Sequence, residues 1–360
     1  MKSNITDKKA HFVWLDTLRF IAAFLVLICH TRNDFFVRYN FLTPDQQGPV
    51  TFLFYLLRRL GSEAVFTFFI LSGFLVGGPG IERIKKSSFK LKSYIIDRFV
   101  RIMIPLLSAI LLFLIVASII HIEINWGRVL GNLFSLQGII CDPLVTPFWS
   151  LSYEVWFYII LASFALIMRK NHLGYLLFAI CCITYIRMNP LYLLMWLIGA
   201  AAYLTRPNKF NKWHFTSSVV MLIIAITLTE ITKESKAIPI EFPRFGEGYN
   251  LFLCITMGWF VQQVILLNPK KKWSKNIELF FSKLANFSYT LYLTHRIVLL
   301  VIFTLWLEKE KADISFINII IFIGIILICL SISYFIYLLT ERHTNKIKLF
   351  IKEKFNIKQS

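Results

Sequence analysis

The chain has 360 residues, 57% of them hydrophobic, 16% aromatic and only 16% charged, with 35 phenylalanines. A soluble domain carries about a quarter charged residues, so this composition excludes a water-soluble globular fold and describes a polytopic membrane protein. The formal net charge of +19 points to contact with anionic membrane lipids or an anionic ligand and gives no sign of a nucleic-acid partner.

Ten apolar stretches read as spans, at about 12–31, 63–79, 99–120, 147–168, 173–186, 190–204, 215–229, 249–267, 284–306 and 316–339. The expected fold is all-α, with about ten transmembrane helices in one domain over 1–340 and a basic cytoplasmic tail over 341–360. Several spans, notably 173–186, fall short of the ~20 residues of an upright helix; such a segment is tilted, re-entrant or supported by its neighbours. The first stretch carries Asp16 and Arg19 and lacks a small-residue cleavage site, so it reads as a retained span rather than a signal peptide. With both termini cytoplasmic, the inside segments hold 26 of the 39 Lys and Arg and the outside segments 11. Arg19 and Arg296 lie within spans. The positive-inside rule favours that orientation.

The first span, Trp14 to Thr31, carries Asp16, Arg19 and His30. A charge at mid-bilayer depth costs at least ~2.5 kcal/mol, so such groups face a protected interior and mark function. At ~100° per residue, Arg19 and His30 return to within about 20° of one direction and Asp16 to within about 40° of His30, with Ala23 between them. The 1.5 Å rise separates Arg19 from His30 by ~16 Å, about half the hydrocarbon thickness. One face therefore offers a cation at one depth and a proton acceptor at another. A polar stripe merely satisfied by a neighbouring helix is the plainer alternative.

Further along, Ser72-Gly73-Phe74 reads first as a close helix-packing point. The basic loop 81–105 ends in Arg98 and Arg101, three apart and aligned if helical. They suit a phosphate clamp and equally a surface facing anionic headgroups. Glu154, in the stretch 149–158, and His295, followed by Arg296, lie at depths where they could converge with His30. A carboxylate beside an imidazole fixes its tautomer and supports proton abstraction from a hydroxyl. The alternatives are an ion pair of Glu154 with Arg19 or Arg296, and a helix–helix hydrogen bond for His295. The six cysteines show neither a disulfide framework nor metal spacing, and no metal is expected. The tail from Arg342 alternates Lys with Ile, Leu and Phe and reads as an interfacial basic helix without chemistry. No soluble domain is expected after it.

Taken together, LDTLRFIAAFLVLICH (15–30), FFILSGFLVG (68–77), RFVRIMIP (98–105), WSLSYEVWFY (149–158) and FSYTLYLTH (287–295) resemble, in order and over most of the chain, the membrane-bound acyltransferase family 3. These are bacterial O-acyltransferases of cell-surface carbohydrates. The resemblance implies transfer of an acyl group, usually acetyl, from cytoplasmic acyl-CoA (acetyl-CoA) to a sugar hydroxyl outside the cytoplasmic (inner) membrane. His30 matches the family's essential histidine, Arg19 its paired basic residue and Arg98 and Arg101 its donor-binding motif. Glu154 matches the first of two acidic positions. The expected catalytic set is His30, Glu154 and Asp16, the donor set Arg19, Arg98 and Arg101, and the acceptor set His295, Ser72 and Trp149.

Four departures stand out: Thr17 for the usual Gly, Val155 for the second acidic residue, Phe66 for a polar position, and His343 for the usual Pro. They loosen the acceptor more than the reaction. The absence of an attached extracytoplasmic domain tilts the acceptor towards O-antigen, capsule or exopolysaccharide, as polymer or lipid-linked glycan. A glycan or lipid-linked glycan transporter is the main rival, since buried charges along one axis also suit a permeation path. A polysaccharide polymerase would need larger outside loops.

Overall fold

A computed structural model describes residues 13–57, 60–234, 243–267, 275–305 and 311–357. Among them every regular element is a helix, with two isolated backbone bridges and no strand. In lipid each backbone polar group must be bonded internally, and an apolar run achieves this by folding as a helix. The elements are α1 (Val13–Phe35), α2 (Pro49–Leu57) and α3 (Gly61–Ser72), the last continuing through a π-turn at Gly73–Gly77 into α4 (Gly78–Lys85). Then come α5 (Leu91–Ile119), α6 (Trp126–Leu133), α7 (Phe148–Ile167), α8 (His172–Tyr185) and α9 (Pro190–Leu204). The remainder are α10 (Lys212–Glu234), α11 (Pro243–Val264), α12 (Lys275–Leu305), α13 (Phe316–Leu339) and α14 (Thr344–Lys354).

Seven of these helices are long and apolar enough to cross a bilayer: α1, the α3–α4 rod, α5, α7, α10, α12 and the rod that begins with α13. The chain is thus an all-α polytopic membrane protein, and large apolar side chains such as Leu111, Phe316 and Phe335 stand exposed on its outside. The apolar helices α8 and α9 have only 14 and 15 residues, or ~22 Å of rise against ~30 Å of hydrocarbon. Both short helices are supported by neighbours: α8 packs on α7, and α9 on α3 and the π-turn. Of the expected span 249–267, α11 covers residues 249–264; the helix is 22 residues long and starts earlier, at Pro243.

Helix α1 packs between α12 and α3. One core cluster joins α3, α5, α7 and α9 through Phe69, Ile70, Leu106, Phe157 and Trp196. A second joins α1, α12 and α13 through Ala23, Leu27, Leu291, Leu299 and Ile325. Backbones touch where glycines permit it. A Cβ at Gly73 would lie 1.9 Å from the Trp196 carbonyl oxygen, and one at Gly199 would lie 2.1 Å from that of Ile70. The close-packing reading of Gly73 holds. Buried hydroxyls satisfy themselves along their own helices, as where Thr31 and Thr67 donate to carbonyls one turn back at 2.9 and 2.8 Å.

Two expectations need correcting. Helix α5 begins at Leu91, so Arg98 and Arg101 sit two to three turns inside a helix, and the connecting segment is only residues 86–90. Apolarity alone placed the start too late, because nothing between Leu91 and Pro105 breaks a helix. The tail is also more than a surface helix, since α14 docks on α5. Lys352 is 5% exposed, pairs with Asp97 at 2.7 Å and donates to Ser93 Oγ at 2.7 Å. Lys348 stands 3.8 Å from the same carboxylate. Lys352→Met keeps the alkyl stem, removes the closer partner of Asp97 and leaves it only Lys348, and is expected to destabilise the protein by about 1.5–3 kcal/mol. Denaturant unfolding in detergent checks this, and an unchanged midpoint would make the pair dispensable.

Candidate active site

On α1, Arg19 Nη1 reaches back one turn to Asp16 Oδ1 at 3.0 Å. Ala23, fully buried between α1 and α12, lets the two helices close up. The ~16 Å between Arg19 and His30 along the axis carries them into two different cavities, of about 220 and about 390 Å3. Both far exceed the ~30 Å3 share of one water, so they are ligand-sized spaces rather than packing defects. Neither Arg19 nor His30 faces lipid.

The first cavity gathers Arg19 from α1, Arg98 and Arg101 from α5, and Glu154 and Tyr158 from α7, with Ser72, Tyr289 and Tyr292. Its lining holds three guanidinium groups against one carboxylate. Arg98 lies 5.6 Å over the Tyr158 ring, a cation–π distance, and its Nε is buried without a partner. The Tyr158 hydroxyl donates to Glu154 Oε1 at 2.5 Å and lies 3.4 Å from Ser72 Oγ, which accepts from Trp196 Nε1 at 3.3 Å. Ser72 therefore belongs to a polar chain seated on the α3–α9 contact. Glu341, just beyond α13, accepts from the Thr290 amide at 3.1 Å and hydroxyl at 2.5 Å, within electrostatic reach of Arg101 and Arg19.

Glu154 thus keeps company with the arginines rather than with His30. Trp149 lines the other cavity, and five residues of α7 carry Glu154 ~7.5 Å further along. The ion-pair alternative with Arg296 is not realised, for Arg296 pairs with Asp34 at the far end of α1. Asp16 serves Arg19, four helical turns from His30.

The second cavity is lined by His30, Cys29, Asn33, Ser62, Thr146, Trp149 and Tyr292, among others. Behind His30, at 5.4 Å between ring centroids, lies His295, which is fully buried and bonds its Nδ1 to the Leu291 carbonyl at 2.9 Å. A carbonyl only accepts, so Nδ1 carries a proton, and Nε2 is buried with no partner among the described residues. The second imidazole backs the first. On the wall, Trp149 joins Tyr192 and Tyr153 at 5.1 and 5.7 Å, a group of rings with polar edges of the kind that contacts ligands.

Tyr158, Tyr289, Tyr292, Ser150 and Glu341 escape a reading of the sequence alone. A signal existed for two of them. Tyr158 follows Glu154 by four residues and Tyr292 precedes His295 by three, spacings that share a helix face.

A family model described as "Acyltransferase domain" matches residues 12–338. That range runs from the start of α1 to the penultimate residue of α13. Acyltransferase MdmB of Streptomyces mycarofaciens is 26% identical over 162 residues, which are 43% of this chain and 40% of that protein. The match therefore spans well under half the length of that relative. No solved structure matches.

Proposed function

The chain belongs to this acyltransferase family, and on that premise we propose that it moves an acyl group, acetyl in the first instance, from cytoplasmic acyl-CoA to a hydroxyl of an extracytoplasmic cell-surface polysaccharide or lipid-linked glycan. The observation that carries the proposal is the pair of cavities meeting at Tyr292, one rich in arginine and the other holding His30. Guanidinium groups recognise phosphate bidentately, so Arg98, Arg101 and Arg19 suit the phosphates of a CoA, with the acyl-pantetheine arm directed along α1 towards His30. The excess of Lys and Arg in the segments read as cytoplasmic puts the arginine cavity on the cytoplasmic side. An acceptor hydroxyl then enters beside Trp149 from the opposite side. His30 takes its proton as general base, with the buried His295 ring packed behind it.

The test is transfer of labelled acetyl from acetyl-CoA to added glycan by the purified protein in liposomes. Arg101→Ala is expected to raise KM for acetyl-CoA about 10- to 100-fold while leaving KM for the glycan unchanged. Each charge-assisted hydrogen bond lost is worth about 1.5–3 kcal/mol. Equal rises in both KM values would remove the donor-site assignment. Glycan transport without acetyl transfer would replace the enzyme reading with the transporter.

A further inference from the structure

Tyr292 is the residue common to the linings of both cavities. It is 6% exposed, its ring stands edge-on to Phe68 at 5.2 Å, and its hydroxyl lies 2.7 Å from Ser150 Oγ. The single proton of Ser150 is directed at the Pro147 carbonyl, 3.1 Å away. With that proton on Pro147, Ser150 Oγ accepts and the Tyr292 O–H donates to it on the lining of the arginine cavity. His30 is on the wall of one of the two cavities, and the arginines on that of the other.

We propose, building on the acyl-transfer reading above, that the Tyr292 hydroxyl is the oxyanion donor of the reaction. Tyr292 is the side chain that both linings share, so on this proposal an acyl thioester that enters past the arginines presents its carbonyl carbon to His30 beside Tyr292. The acceptor hydroxyl oxygen bonds to that carbon while its proton passes to the His30 imidazole. The carbonyl π pair moves onto oxygen. A donor already held beside the developing charge contributes more than a mobile water would, because only its O–H has to turn. The Tyr292 proton turns from Ser150 Oγ to that oxygen. The pair then returns, the carbon–sulfur bond breaks, and sulfur leaves with the proton held by His30. The products are the ester and the free thiol of CoA, and both residues are restored.

Tyr292→Phe keeps the ring that packs on Phe68 and removes only the donor. Single-turnover and steady-state transfer from acetyl-CoA to glycan in liposomes is expected to show kcat reduced by about 100- to 1000-fold, with KM for acetyl-CoA within about twofold of wild type. Ser150→Ala removes the resting partner but keeps the phenol, and is expected to lose less than about fivefold. Tyr292→Phe within threefold of wild type in kcat would overturn the assignment. So would an equal loss in Ser150→Ala, since the hydrogen-bonded pair and not the donor would then matter. The wild type is the control for the underlying reading. If it makes no ester, acyl transfer itself fails and this assignment falls with it, whereas a competent wild type beside a competent Tyr292→Phe overturns the oxyanion role alone.

Discussion

His30→Ala is expected to reduce acyl transfer by at least about 1000-fold, within the range that a positioned general base contributes, while leaving the protein folded and able to bind acyl-CoA. The separation of effects follows from geometry. His30 lines the cavity of Trp149 and Asn33, and Arg19, Arg98 and Arg101 line the other, so truncating the imidazole removes nothing that would hold phosphate. His30 is only half-buried, and alanine there enlarges a space already of about 390 Å3. Added imidazole is therefore expected to restore part of the activity. Transfer within tenfold of wild type would refute the role of His30 outright. Rapid chemical quench of a single turnover decides between the two ways an imidazole can serve: a trapped acyl-histidine would make His30 a covalent carrier, and its absence leaves proton abstraction.

The second large effect concerns assembly rather than chemistry. Gly73→Ala and Gly199→Ala each place a methyl group about 2 Å from a backbone carbonyl oxygen of the facing helix. The obstructing atoms belong to the main chains of α9 and α3, which do not turn aside as a side-chain tip does. Relief requires the helices to part. Overpacking a tight core costs about 1–3 kcal/mol and sometimes more, and a backbone obstacle belongs at the top of that range. The Trp196–Ser72–Tyr158–Glu154 chain crosses this contact, so activity is expected to fall with stability. Yield of folded protein from detergent and the temperature of half-unfolding check this. Normal values for both variants would show that the α3–α9 contact is looser than its geometry implies.

What a single sequence discloses here divides along a physical line. Spans follow from runs of apolar residues, and the shared face of Arg19 and His30 follows from the helical period, because both depend only on neighbours in the chain. The cluster of Arg19, Arg98 and Arg101 was expected from the family motifs and is found on one wall. Depth between helices is another matter. Glu154 was placed near His30 by counting from the end of its span, yet the vertical offset of α7 against α1 is set by side-chain packing that no single-helix period contains. Lys352 escaped for a similar reason: a lysine in a basic amphipathic tail looks solvated until Asp97, 255 residues earlier by number, is brought beneath it. Tyr292 hid as one aromatic among many in an aromatic-rich chain.

The wide turn at Gly73–Gly77 has a bearing on which changes of length the chain tolerates. A π-turn is an α-helix that has accepted one residue more than its pitch allows. Here the surplus sets the angle between two halves of a rod, much as a vernier sets a scale. On one side Ser72 meets Trp196, and on the other Tyr203 donates to Glu82 at 3.1 Å. Deleting Leu75 would let the rod close into plain α-helix with α4 kept near its present register, whereas inserting one more residue would swing α4 by ~100° relative to α3. Glu82 would then leave Tyr203. The segment therefore tolerates the loss of one residue better than the gain of one, and a side chain at Gly73 least of all.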